Sequence, residues 1–99
     1  MADGDVVLDE SGEFDAHTET RFELFAVESV SAAGGYADRF EYYHPEEGHI
    51  LRYDNAHHIS GVGHHHRHYD GTVTGLSFHG LEAHADRFRN EVTQIDVQR

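Results

Sequence analysis

The sequence predicts an α+β fold, an antiparallel β-meander of about five strands packed against one C-terminal α-helix. Three observations carry this. Between residues 20 and 78, short runs of alternating apolar and polar residues recur, each closed by turn-forming residues. Asp70-Gly71 lies between two such runs, and this dipeptide is suited to a two-residue type I′ hairpin turn. Beyond Gly80 the period changes: Leu81, Ala85, Phe88, Val92 and Ile95 step by four, three, four and three, which draws one apolar stripe along a helix over 81–96.

The elements follow in order. Residues 1–18 are mostly polar, and the short apolar run Val6-Val7-Leu8 reads as a flexible arm, a first strand or a sheet edge. From Thr20 to Glu28, Phe22, Leu24 and Ala26 alternate with Arg21 and Glu23, a half-buried strand. Ser29 to Tyr36 contains Ala-Ala-Gly-Gly and reads as a loop. Arg39 to His44 is an aromatic strand stopped by Pro45 and the Glu46-Glu47-Gly48 turn, and His49 to Asp54 is the next. A loop from Asn55 to Gly63 leads to strands at His64–Tyr69 and Thr72–Phe78. Phe22, Phe40, Tyr42, Phe78 and Phe88 are the expected aromatic core. The 99 residues fit one domain with one modest core.

Composition narrows the function classes. There is no cysteine, so a disulfide framework, thiolate zinc sites and cysteine nucleophiles are excluded. The chain has no long apolar run and its first residues lack the order of a signal peptide, from which a cytoplasmic protein with no membrane partner is expected. Asp and Glu number 19 against 7 basic residues, every one of them Arg. A formal charge of -12 on so small a domain self-repels in dilute buffer, whereas molar salt shrinks the screening length to about 3 Å. A halophilic, haloarchaeal source is therefore expected. Any RNA binding has to rest on locally placed Arg and His rather than on a broad basic face.

Function is concentrated in one stretch. Six of the eleven histidines lie between Arg52 and Gly71, together with two arginines, two aspartates, an asparagine and two tyrosines. Packing does not require such a density of imidazole. Alternation along a strand puts His64, His66 and His68 on one side and His65, Arg67 and Tyr69 on the other, and it groups Arg52 with Asp54 in the preceding strand. Neighbouring strands then bring several His, an Arg and an Asp to within about 5 Å of one another, with His57 and His58 on the loop at the rim.

Three chemistries suit this set. In metal-independent RNA cleavage a His acts as base on the 2′-hydroxyl, a second His or a Tyr acts as acid, and Arg stabilises the transition state. A divalent transition-metal site would use His64, His66 or His57 with Asp54. The third is a non-catalytic binding surface. Asp54-Asn55 also reads as an Asx-turn closing a strand. His17, His44, His49, His79 and His84 read as solvated or hydrogen-bonded bystanders, and Gly61 and Gly63 as loop residues.

Arg-Tyr-Asp-Asn-Ala-His (52–57) and His-His-Arg-His-Tyr-Asp-Gly (65–71), followed by Phe78, Leu81-Glu82 and an acidic-apolar helix, resemble the TumE-like family of small toxin components. The resemblance covers about residues 20–96, and the spacer His58–His64 is longer and richer in histidine than the family's short Gly-rich link. It implies a toxin of a type II toxin–antitoxin pair, neutralised by a cognate helix-turn-helix antitoxin protein. Carried onto this chain it marks Asp54, Asn55, His57, His65, His66, Arg67, His68 and Tyr69, with Arg52 in support. The expected roles are catalysis by Asp54, His57, His65, His66, Arg67, His68 and Tyr69, and substrate binding by Arg52, Asn55, His58 and His64. No cofactor is expected on this reading. Endoribonuclease action is inferred from the site chemistry, since the resemblance itself implies only the toxin role and the pairing.

Overall fold

A computed structural model describes residues 4–14 and 18–99. Six strands follow one another in chain order, each antiparallel to the one before: β1 (Val6–Glu13), β2 (Arg21–Glu28), β3 (Tyr36–His44), β4 (Gly48–Asp54), β5 (His66–Tyr69) and β6 (Thr72–Gly75). One helix, α1 (Leu81–Val97), closes the chain. The meander and the helix are those the sequence predicts, with one strand more.

That extra strand is β1. The apolar run at Val6 opens an eight-residue strand whose inner half is Asp, Glu, Ser and Gly, poor strand formers that hold their place by pairing with Arg21–Val27. Other boundaries move as well. β3 starts at Tyr36 rather than Arg39, after a short 3₁₀ turn at Ala33–Gly35. β5 starts at His66 rather than His64. β6 stops at Gly75 rather than Phe78, because Gly75 pairs with His66, the first residue of β5; the carbonyl of Val62 crosses so close over Gly75 that no Cβ fits there. Asp70 (φ 52°) and Gly71 (φ 76°) both take the left-handed backbone that a type I′ turn needs.

The helix lies across one face of the sheet. Its buried Ala85, Phe88 and Val92 meet Leu24, Phe40, Tyr42, Leu51 and Tyr53 from β2, β3 and β4. The rings interlock edge to face, Phe88 standing 4.9 Å from Tyr53 and 5.5 Å from Phe40. Phe22 packs against this core only half buried, and Phe78 is half buried too, over the inward-facing His65.

Gly80 precedes α1 without a side-chain cap, so polar ties to the sheet fix the helix instead. Thr20 Oγ1 and the Tyr42 hydroxyl both donate to Asp96 Oδ1, at 2.7 and 2.6 Å. Arg89 grips both carboxylate oxygens of Glu10 on β1, at 3.1 and 2.7 Å. The Tyr53 hydroxyl donates to Glu91 at 2.5 Å, and Arg67 holds both oxygens of the same carboxylate. Among the described residues, no helix covers the opposite face of the sheet.

Candidate functional site

Register decides which of the sequence-predicted residues can meet. Asp54 pairs with His66 and Arg52 with His68 across β4 and β5, so these four side chains share the face away from the helix. Tyr53 pairs with Arg67 and Leu51 with Tyr69 on the helix side. The histidine-rich stretch is therefore divided between the two faces.

On the open face Asp54 is the hub. His66, almost fully buried, sets its Nδ1 2.9 Å from Asp54 Oδ1, and its Nε2 donates to the carbonyl of Gly63 at 2.8 Å. Gly63 itself is bound in both directions to Ile59, closing a tight turn in the loop. With both nitrogens engaged, His66 pins the loop over the strand and orients Asp54. Arg52 Nε lies 2.9 Å from Asp54 Oδ2 as an ion pair, without the alignment of a hydrogen bond. Burial alone would raise the Asp54 pKa, but the His66 hydrogen bond and the charges of Arg52 and His68 outweigh it and hold the group below the usual carboxylate range.

His68 lies between the two charges. Its Nε2 is 3.2 Å from Arg52 Nη2 and 3.3 Å from Asp54 Oδ2. A guanidinium only donates, so a neutral His68 accepts from Arg52. A protonated His68 is repelled by Arg52 and finds Asp54 at the same distance. Burial first, then Arg52, lowers the His68 pKa from 6.5, so the ring is neutral at neutral pH. The group opens into a concavity of about 340 Å³, whose rim carries Arg39, His57 and Ile59. The exposed His57 ring stands 6.0 Å from that of His66.

The remaining predicted residues lie elsewhere. Arg67 is committed to Glu91 and sits 5.0 Å over the Tyr69 ring, which ties the helix to β5. Asn55 is buried and accepts from the Asp38 backbone N–H at 2.9 Å while donating to the carbonyls of Tyr36 and Ala33 at 2.5 and 3.3 Å. Its side chain thus braces the start of β3. His64 and His58 are exposed and face each other at 4.8 Å. Asp54, His66 and His68 bring ligating atoms within 4.8 Å of one another, with His68 in the place predicted for His64. Arg52 beside them adds a positive charge to the same cluster.

On the helix side His65 stacks on Phe78 at 4.5 Å, with the two rings 5° from parallel. It meets His84 of α1 and Asp38 of β3, both buried. Burial, aided by the Asp54 charge, pushes the Asp38 pKa up to about 7, and burial, aided by the positive charges of His65 and Arg87, brings that of His84 down to about 4. In the sequence His84 reads as a bystander, and neither Asp38 nor Glu91 stands out. A signal was present, for His84, Phe88 and Glu91 step by four and three along the flank of the apolar stripe. Of the other histidines set aside, His44 accepts at Nδ1 from the backbone of Glu46 and Glu47 and braces that turn. His49 lies on the surface 3.3 Å from Glu41, and His79 is exposed. His17 lies outside the described residues.

Fold and site together define a small sheet-and-helix protein with an imidazole–carboxylate–guanidinium cluster on its open face. The family model for the toxin TumE matches residues 3–96, and the chain belongs to that toxin family. The match reaches back past residue 20 through β1, beyond the stretch that carries the resemblance in the sequence. No curated protein and no solved structure matches. Among the described residues, no helix is long and apolar enough to cross a membrane.

Proposed function

We propose that this toxin cleaves RNA without a metal, on the open face of the sheet, and that a helix-turn-helix antitoxin encoded beside it neutralises it as in a type II pair. The observation that carries this reading is His68, a neutral imidazole between a guanidinium and an ionised carboxylate. Arg52 holds the scissile phosphate. His68 Nε2 takes the proton of the adjacent 2′-hydroxyl as the 2′-oxygen attacks phosphorus, and Asp54 stabilises the imidazolium that results. His57 returns a proton to the departing 5′-oxygen, which leaves a 2′,3′-cyclic phosphate and a free 5′-hydroxyl. His66 acts through Asp54, as a positioning residue. The acidic composition fits a cell with molar internal salt.

The test is induction of the chain in a prokaryotic host, with and without the neighbouring reading frame, followed by mapping of RNA 5′ ends. Growth arrest with new 5′-hydroxyl ends, both relieved by the neighbour, is the expected result. Arrest with an unchanged 5′-end profile would overturn RNA cleavage, and arrest that the neighbour does not relieve would overturn the pairing.

A further inference from the structure

We propose that Asp38, His65 and His84 form a binding site for one divalent transition-metal ion of the zinc class, separate from the open-face cluster and on the other side of the sheet. Donor chemistry is the first argument. Two imidazoles and one carboxylate are a common ligand set for such ions, and the ligating atoms of the three side chains all lie within 4.8 Å of one another. His84 Nε2 and Asp38 Oδ1 are 3.9 Å apart. Bonds of about 2.1 Å at the tetrahedral angle set two ligand atoms roughly 3.4 Å apart, so the three side chains would close on one ion by drawing in from separations of at most 4.8 Å.

The second argument is an unmet need. Among the described residues, seven buried side-chain nitrogen or oxygen atoms lack a hydrogen-bond partner, and five of them belong to this trio: both oxygens of Asp38, both nitrogens of His84, and Nδ1 of His65. Buried polar atoms are nearly always satisfied, and so dense a group of exceptions calls for a partner that the side chains themselves do not supply. The walls exclude the usual substitutes. Phe40, Tyr53 and Phe78 present their rings to His84 at 5.2–5.3 Å, and none offers an acceptor there. Phe78 is seated against Gly34, where a Cβ would collide with the ring, so a glycine is needed to let this lid close.

The three ligands come from three elements, namely β3, the bend entering β5, and the first turn of the uncapped α1. An ion there would clamp the start of the helix onto the sheet. It would also fix His65, whose chain neighbour His66 orients the open-face carboxylate.

Untagged protein purified without metal-affinity media is titrated with Zn²⁺ and with Co²⁺, and its metal content is measured after dialysis. We expect one ion per chain. Bound Co²⁺ should shift the ring resonances of His65 and His84 in the proton spectrum far more than those of His66 and His68. At Zn²⁺ a hundredfold above its Kd, the melting temperature should rise by about 10 °C or more. His84→Phe, which places another ring among rings, and the isosteric Asp38→Asn should each lose stoichiometric binding, whereas His68→Ala should keep it. Failure of the folded wild-type chain to take up metal would overturn the site. So would Co²⁺ shifts centred on His66 and His68, which need no variant to be read.

Discussion

His68→Ala is expected to lower cleavage of a single-stranded oligoribonucleotide by about 10²- to 10⁴-fold while leaving the thermal melt within a degree or two of wild type. The small structural cost follows from position, since His68 is partly exposed on a sheet face with no helix over it. The large catalytic cost follows because, among the described residues, no second imidazole has a nitrogen between Arg52 and Asp54. The wild-type rate profile carries a further signature. Burial and the Arg52 charge favour the neutral ring, so His68 keeps its base form below its ordinary 6.5 and the acid limb falls on the low side of that value. Arg52→Gln removes the neighbouring positive charge and should move the limb upward, besides slowing the reaction. Full activity in His68→Ala, or a limb that ignores Arg52, would remove His68 from the mechanism.

The largest effect on stability is expected at Phe88. Its ring is fully buried, packs edge to face on Phe40 and Tyr53, and is the middle of the stripe that joins helix to sheet. Truncation to Ala removes that contact and leaves a cavity, a loss of about 3–5 kcal/mol. A domain of this size is stable by only about 5–15 kcal/mol, so the variant should stand near its folding threshold. Urea denaturation measures the difference. A cost below about 1 kcal/mol would mean that the helix does not depend on this packing.

Much of the fold was legible because period is a local property. Alternation marked the strands, the switch to steps of four and three marked α1, and Asp70-Gly71 marked a turn that needs two positive φ angles. What was not local was harder to see. The polar half of β1 has no strand propensity of its own and is a strand because β2 pairs with it. Alternation separates His66 and His68 from Arg67 and Tyr69, as in β5, but only the β4–β5 register shows that Arg52 and Asp54 share the face of His66 and His68, and His64 lies before the strand.

The site was less legible where partners are distant in the chain. Arg67 is identical in the sequence whether it faces a phosphate or Glu91, which lies 24 residues away. Asn55 gave no sign that Asp38, Tyr36 and Ala33 would take its hydrogen bonds. His84 was visible only as a polar residue beside an apolar stripe, and nothing local joined it to His65 and Asp38.

The open-face concavity has one guanidinium at its centre, Arg52, and one on its rim, Arg39. A nucleic acid held by one or two such contacts displaces few counterions, so log K should fall with log salt at a slope of only about -0.7 to -1.4. Proteins that grip six to ten phosphates lose about 10³–10⁵ in affinity between 50 and 200 mM salt. A grip this sparse gives up little attraction to salt, so binding that weakened steeply with salt would mean that the nucleic acid meets further cations elsewhere on the chain.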